Sequence, residues 1–152
     1  ALPFELHTID AAAFDTVFVP GGHGPLWDLA ADTDVGRILS HCVHAGKVIA
    51  AVCHGPAALL SVEKAIFGFL RGKKVTAFTN LEENLVLRSP NVPYLLEDRL
   101  REHGADFSSA TLPFASHVVV DDPLVTGQNP LSSLATANAA IQLVQPLYAS
   151  VL

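Results

Sequence analysis

The residue of this chain that is most able to do chemistry is Cys53, because of the residues on either side of it. An apolar run typical of a buried strand, 47–52, ends just before the cysteine, and a helix-compatible run, 56–64, follows it closely. A small residue two positions before the cysteine and a glycine two positions after it form the pattern of a strained strand-to-helix turn that presents a nucleophile. We expect the helix N-terminus to give the thiol thiolate character, and the adjacent His54 to supply a base.

Composition and charge limit the classes of function that the chain can serve. Its 152 residues fit a single domain, 1–152, with a sizeable core. A formal net charge of -6 argues against nucleic acid or an anionic membrane as the main partner. No apolar run approaches the ~18 residues of a membrane span, and the N-terminus lacks the features of a signal peptide. Two cysteines are too few for a disulfide framework. A free catalytic thiol suits a reducing compartment, and the sequence therefore predicts a cytoplasmic protein.

The elements that must position the cysteine alternate between strands and helices. The pattern predicts strands over 16–19, 48–52 and 74–78, a hairpin of 117–120 with 124–126, and helices over 26–31, 34–45, 56–64, 93–103 and 131–144. Such alternation implies an α/β fold in which helices cover both faces of a mostly parallel sheet. Ligands of such sheets bind at the carboxyl ends of the strands. We therefore expect Gly21, Gly22, Cys53 and the segment 79–80 to meet at one edge.

The start of the chain does not fit this alternation. Residues 1–13 contain no convincing strand–helix–strand unit, and the first clear strand already leads to a glycine turn. An unprotected edge strand at 16–19 would invite aggregation. We therefore expect that an N-terminal strand–helix–strand unit is missing from this chain.

Four segments together resemble the motifs of one family. They are VPGGHGPLWDL at 19–29, AVCHGPA at 51–57, VTAFTNLEE at 75–83 and VTGQNP at 125–130. In this order they resemble the ThiJ/PfpI superfamily, which has the class I glutamine amidotransferase-like fold, and most of all its heat-shock glyoxalase III and chaperone branch. The resemblance implies a flavodoxin-like, doubly wound fold, a reaction without cofactor or metal, and a homodimer.

The resemblance assigns catalytic roles to three residues. Cys53 matches the nucleophile of the family, His54 its catalytic histidine, and Glu83 the carboxylate that orients the histidine. Glu82 is the alternative to Glu83, and both acids could simply open a helix. The backbone amides of Gly22 and His54 would form the oxyanion hole that the turn requires.

Other residues are candidates for the substrate pocket or for a metal site. Gly21 and His23 lie in the glycine turn, where His23 either lines the pocket or caps the turn. Asn129 matches a family motif near the site, but its position before Pro130 favours a helix N-cap, and both roles can hold together. Cys42 lies on the apolar stripe of its helix beside His41 and His44, which favours a core cysteine with surface histidines over a metal site.

The resemblance implies a glutathione-independent glyoxalase III, that is, a D-lactate dehydratase or hydro-lyase that converts a 2-oxoaldehyde such as methylglyoxal to lactate. The same thiol and base would also serve a peptidase, an amidase or a deglycase. A third hypothesis is a stress-linked holdase chaperone or redox sensor. For a holdase, the apolar run 65–70 is a candidate surface, although a core or dimer contact explains it more simply. In relatives an early glutamate bonds the nucleophilic sulfur, and Glu5 is not in such a context.

Overall fold

A computed structural model describes the backbone of residues 3–149 and the side chains of residues 3–144. The strands are β1 (Thr16–Val19), β2 (Val48–Val52), β3 (Lys74–Val75), β4 (Asp106–Phe107), β5 (Val118–Asp121) and β6 (Leu124–Gly127). The helices are α1 (Thr33–His44), α2 (Leu59–Ala65), α3 (Asn80–Leu85), α4 (Leu96–Glu102) and α5 (Ser133–Ala149). The predicted domain 1–152 thus extends at both ends beyond the described residues.

The main sheet has the strand order β1-β2-β6-β5. β2 pairs in parallel with both β1 and β6, whereas β5 and β6 form the predicted antiparallel hairpin. The connection between parallel strands must cross over the sheet, and α1 makes the crossover from β1 to β2. This arrangement confirms the mostly parallel α/β sheet.

Helices cover both faces of the sheet, and the central strand β2 shows it directly. All five of its residues are buried. Successive side chains of a strand point to opposite faces, and so Ile49 and Ala51 pack into one core cluster with residues of α1 and α2. Val48 and Ala50 pack into a second cluster with residues of α5. Full burial of a valine or isoleucine side chain, as in Val48 and Ile49, stabilises the fold by about 1.5–3 kcal/mol.

The helix predicted over 26–31 is wrong. The chain makes a 3-10 turn over Gly24–Leu26 and continues in turns to residue 30. The amide of Trp27 bonds to the Gly24 carbonyl at 2.9 Å, and that of Ala30 reaches back five residues to Pro25 at 3.1 Å. Because the hydrogen bonds change their spacing within one turn, no regular helix propagates.

The strand predicted over 74–78 is shorter than expected, and β4 was not predicted. β3 stops after Val75 because the next amide, that of Thr76, donates to the side chain of Thr126 at 2.9 Å instead of to a neighbouring backbone. β3 pairs in parallel with β4, which has only two residues. A two-residue strand carries no periodic pattern that the sequence could reveal.

The first residues of the described chain form no strand. They make 3-10 turns over Leu6–Thr8 and Ala11–Ala13, as the absence of a strand pattern predicted. Arg37 binds the carbonyls of Leu6 and Ile9, and Lys47 donates to three carbonyls between residues 11 and 14. These cations therefore hold the segment against α1 and the start of β2.

The helices of residues 3–149 include none with the length and apolar character that a bilayer crossing requires.

The backbone after β1 lies very close to the turn after β2. A Cβ atom added to Gly55 would press on the carbonyl oxygen of Val19 and would lie 3.0 Å from that of Pro20. Backbone atoms cannot move away as a flexible side chain can, so this position requires glycine. The close approach joins the glycine turn at 20–24 to Cys53.

We predict that Gly55→Ala lowers the free energy of unfolding by about 1–3 kcal/mol, because the added methyl group overpacks the contact with β1. Urea unfolding followed by circular dichroism measures this change. Gly24→Ala is the matched control, because a Cβ there would meet its nearest neighbour at an ordinary 3.7 Å. Equal stability of the two variants would contradict the close approach.

Candidate active site

Cys53 lies in a strained backbone conformation at the end of β2. Its φ is +62°, a left-handed value that residues other than glycine adopt at a cost of about 1–3 kcal/mol. Bonds on both sides hold it there: the Cys53 amide donates to the Gly127 carbonyl, and the Cys53 carbonyl accepts from the Phe78 amide, each at 2.9 Å. A Cβ atom added to Gly21 would lie only 2.6 Å from the Cβ atom of Cys53, so the missing side chain at Gly21 leaves room for the cysteine. The sequence therefore predicted the strained turn correctly.

The turn places the imidazole of His54 against the sulfur of Cys53. Nδ1 of His54 lies 3.4 Å from Sγ, and both residues are buried. Burial raises the pKa of the Cys53 thiol, and hydrogen bonds from the amides of Gly22 and His54 oppose this only in part. The expected thiolate character is therefore wrong for this site.

The turn leads into a 3-10 segment of four residues, Gly55–Ala58, and not directly into a long helix.

The amides of Gly22 and His54 both lie within hydrogen-bonding reach of the Cys53 sulfur, so they flank the place where an oxyanion would form beside it. Gly22 adopts a φ of +95°, which aims its amide inward at no cost to glycine. Gly21 and Gly22 are exposed at the surface. The structure thus brings Gly21, Gly22 and Cys53 together at one edge of the sheet, as expected. The segment that leads to residues 79–80 also reaches this edge, because the Phe78 amide bonds the Cys53 carbonyl.

Glu83 is the carboxylate that reaches His54. Its Oε2 lies 2.6 Å from Nε2 of His54, and its Oε1 lies 2.8 Å from Nε2 of His23. An ionised carboxylate only accepts hydrogen bonds, so each Nε2 carries the proton in the neutral imidazole. Nδ1 of His54 then faces the Cys53 sulfur as an acceptor. Burial lowers the pKa of His54, while the hydrogen bond to Glu83 opposes that shift.

Helix α3 decides which of the two adjacent acids faces the histidine. Thr79 is its N-cap and forms a capping box with Glu82. Consecutive residues of a helix point about 100° apart, so Glu82 turns away from His54 while Glu83 turns towards it. The geometry therefore favours Glu83, as the motif implied.

Glu82 is a structural carboxylate. It is fully buried, and one oxygen accepts from both the amide and the hydroxyl of Thr79. The other accepts from the amide of Phe114 at 2.8 Å and from the side chains of Gln128 and Asn129 at 2.9 Å each. Burial alone would raise the pKa of Glu82, but these hydrogen bonds together hold that pKa below its ordinary value.

Asn129 lies behind Glu82 and does not join the group around Cys53. Besides Glu82, its amide nitrogen donates to the Ala115 carbonyl at 2.7 Å, and its Oδ1 accepts from the hydroxyl of Ser132. Pro130 does begin a 3-10 turn, Pro130–Ser132, but the Asn129 side chain forms no capping bond to a backbone amide. A direct role of Asn129 in the substrate pocket stays a prediction.

Sequence reasoning missed two residues that shape this site. The ring of Phe78 lies with its centroid 4.6 Å from that of His54 and 6.1 Å from that of Phe114. These two phenylalanines pack with Val52 and Cys53 in an apolar cluster. Phe78 falls within a family motif, which was an available signal, whereas Phe114 lies in a loop without any.

The other cysteine, Cys42, is a core residue, as predicted. It is buried in the main core cluster, and burial raises the pKa of its thiol. His41 is half-buried and His44 is exposed on the same helix. In the described part of the chain, the group of side chains that could hold a metal is a different one, His23 with His54 and Glu83, drawn from three separate segments.

A family model for the DJ-1/PfpI family matches residues 4–143. The chain belongs to the DJ-1/PfpI family. This confirms the resemblance that the four motifs indicated. The flavodoxin-like fold agrees with it, since the solved structure of a ThiJ/PfpI domain protein from Brachyspira murdochii, 22% identical, has a TM-score of 0.68 over 93% of this chain and 66% of that one.

Three relatives show how far the similarity of this DJ-1/PfpI protein extends. The glutathione-independent glyoxalase hsp3101 of Schizosaccharomyces pombe is 36% identical over 148 residues, which cover 91% of this chain and 60% of the relative. The solved structure of glyoxalase III from Candida albicans is 29% identical with a TM-score of 0.81, covering 91% of this chain and 60% of that one. The Rapid Encystment Protein of 24 kDa from Francisella tularensis is 35% identical with a TM-score of 0.88, covering 93% and 63%.

These relatives are longer than this chain, which spans 53–62% of the length of three S. pombe glyoxalases that it matches. The family resemblance implies an early glutamate at the sulfur. The side chain of Glu5 does not take that place: it is 78% exposed and lies 3.5 Å from His7.

We predict that Glu82→Gln destabilises the fold and flattens its acid dependence. The pKa of Glu82 is lower in the fold than its ordinary value of 4.5, so its carboxylate stabilises the protein fully above that value. This contribution is lost as the pH falls through the lower folded pKa. An amide in its place also turns an N–H group towards the Thr79 amide, at a cost of about 1–3 kcal/mol.

Urea unfolding at several pH values between neutral pH and the acid range tests this prediction. The matched control is Glu102→Gln, which changes an exposed acid on α4. The same acid dependence in wild type and Glu82→Gln would show that the buried carboxylate does not carry it.

Proposed function

We propose that this chain carries the catalytic site of a glutathione-independent glyoxalase III that converts methylglyoxal to lactate. The observation that carries the proposal is the buried relay from Cys53 Sγ to His54 Nδ1, at 3.4 Å, and from His54 Nε2 to Glu83 Oε2, at 2.6 Å. Several relatives are named glutathione-independent glyoxalase or glyoxalase 3, which supports the same reaction. These observations support the roles that the motifs implied for the site residues.

The first step joins the substrate to the enzyme. The sulfur of Cys53 attacks the aldehyde carbon while its proton passes to Nδ1 of His54, which faces it. The aldehyde oxygen gains negative charge as the S–C bond forms, and the amides of Gly22 and His54 stabilise that charge. Return of the proton to this oxygen gives a hemithioacetal. A thiol whose pKa is raised needs this base, because few molecules carry the thiolate beforehand.

The second step moves protons along the carbon skeleton. His54 removes the proton from the carbon bound to sulfur, which gives an enediol, and a proton then returns to the neighbouring carbon. The first carbon is oxidised to a thioester while the second is reduced to an alcohol, so all electrons stay within the substrate. Water then cleaves the thioester, which releases lactate and restores the thiol. Glu83 holds the imidazole in the required tautomer throughout.

Two further expectations remain proposals. Free cysteines at positions 42 and 53 support a reducing, cytoplasmic location. A homodimer rests on the family resemblance alone. The apolar run 65–70, the candidate chaperone surface, is only partly available, because Leu70 is fully buried while Phe67 is 90% exposed.

We predict that Cys53→Ala abolishes lactate formation from methylglyoxal in the absence of glutathione, because no S–C bond can form. Lactate is measured enzymatically after incubation of the purified chain. Cys42→Ala is the matched control, since it removes the other thiol, which lies in the core away from the site. Full turnover by Cys53→Ala would overturn the proposal. Release of an amine from a model peptide or a glycated thiol, without lactate, would instead favour the hydrolase alternative.

We predict that Glu83→Gln lowers kcat about 10²- to 10⁴-fold, because the base loses its orienting carboxylate. Glu83 also opposes the lowering of the His54 pKa by burial. Its loss should therefore move the acid limb of the kcat/KM profile further below the ordinary histidine pKa of 6.5. A rate–pH series on wild type, Glu83→Gln and the surface control Glu102→Gln measures both effects. A drop in rate with an unmoved acid limb would argue for a merely structural role of Glu83.

A further inference from the structure

One carboxylate in this site holds two histidines, and the proposed reaction uses only one of them. Glu83 binds His54 through Oε2 and His23 through Oε1. The two rings lie with their centroids 4.2 Å apart. Each of the three residues offers one possible ligand atom, and these three atoms lie within 4.8 Å of one another. His23 and Oε1 of Glu83 therefore take no part in the bond-making and proton-transfer steps proposed above.

We propose that His23, His54 and Glu83 form a binding site for a divalent transition-metal ion of the zinc type, and that an ion bound there stops turnover. The binding itself follows from the three side chains. Only the effect on turnover rests on the proposed function.

The donor set matches the chemistry of zinc. Two imidazole nitrogens and one carboxylate oxygen, with a fourth position open, are a common set of zinc ligands, whereas Mg²⁺ and Ca²⁺ prefer oxygen ligands alone. Zinc–ligand distances near 2.0–2.2 Å place neighbouring ligand atoms roughly 3.3–3.5 Å apart in a tetrahedron. The present contacts of 2.6 and 2.8 Å must therefore open by less than about 1 Å.

The surroundings permit this opening and favour a cation. The side chain of His23 is 36% exposed and belongs to a turn flanked by Gly22 and Gly24, so it can move while His54 stays packed. The exposed side of His23 leaves the fourth position open to water. The negative charges of Glu82 and Glu83 both act on His54, and both would attract a positive ion.

Metal binding would change the tautomer of His54. An ion on Nε2 displaces the proton there, and the neutral ring then carries its proton on Nδ1, which faces the sulfur. His23 rearranges in the same way, so no proton need leave the site. The imidazole can then no longer accept a proton from the thiol or from the substrate carbon. The thiol itself is not a ligand, and it stays open to alkylation wherever the pH is high enough to ionise it directly.

Zinc titration of the purified chain against a chromophoric chelator tests the binding. We expect His23→Ala to weaken zinc binding at least about 100-fold, because loss of a partner outside the coordination shell already costs about 10- to 100-fold. His44→Ala, which removes an exposed histidine of α1, should leave the affinity unchanged. Cys53→Ala should also leave it unchanged, with Cys53→Ser as a second variant should the first fail to fold.

A paired measurement at saturating zinc then separates the two proposals. We expect lactate formation to stop, while iodoacetamide still alkylates Cys53 at a pH high enough to ionise the thiol without the help of His54. Unchanged affinity in His23→Ala, lost affinity in the Cys53 variants, or protection of the thiol by zinc at that high pH would overturn the proposed ligand set. Zinc binding that depends on His23, in a chain that forms no lactate without zinc, would uphold the metal site and overturn the glyoxalase proposal.

Discussion

The buried carboxylate of Glu82 is the interaction on which the rest of the site depends. It gathers donors from the N-cap of α3, from the loop that contains Phe114 and from the residues that follow β6. A charge without water is tolerated only where several hydrogen bonds surround it, so these segments have little freedom to separate. The position of α3 fixes in turn where the next residue, Glu83, meets the histidines. Glu82 takes no part in the proposed reaction, yet it determines where Glu83 meets the histidines.

The second constraint is the packing of backbone against backbone around Cys53. Glycines at positions 21 and 55 allow the turns after β1 and β2 to touch, and no larger residue fits there. The positive φ of Cys53 is maintained by hydrogen bonds from β6 and from the segment after β3. The fold therefore supplies the energy that holds the thiol in its strained position, as is common at functional sites.

The protonation of the site follows from burial and from one shared carboxylate. Burial makes the thiol a weaker acid and the imidazole a weaker base, since it raises the pKa of Cys53 and lowers that of His54. Glu83 partly restores the basicity of His54. The resting site is thus poised for transfer of a proton between neutral groups, and does not store a ready thiolate. The same carboxylate also binds His23, and His23, His54 and Glu83 together offer the ligand atoms of the proposed metal site.

The position of Glu83 in the site was implied by the resemblance to the family motif. The sequence by itself determined the parts that depend on local pattern: the alternation of strands and helices, the core position of Cys42, and the strained turn at Cys53. Local chemistry suffices there, because periodicity, small residues and capping act between near neighbours. The tertiary structure alone decided that Glu82 anchors the site, that His23 shares Glu83 with His54, that Asn129 lies behind the site, and that the thiol pKa rises. These depend on contacts between residues far apart in the chain and on burial, which no local pattern encodes. The expected N-terminal strand–helix–strand unit stays a prediction. The early end of β3 and the whole of β4 were not predicted for the same reason, because side chains of distant segments decide where such strands end.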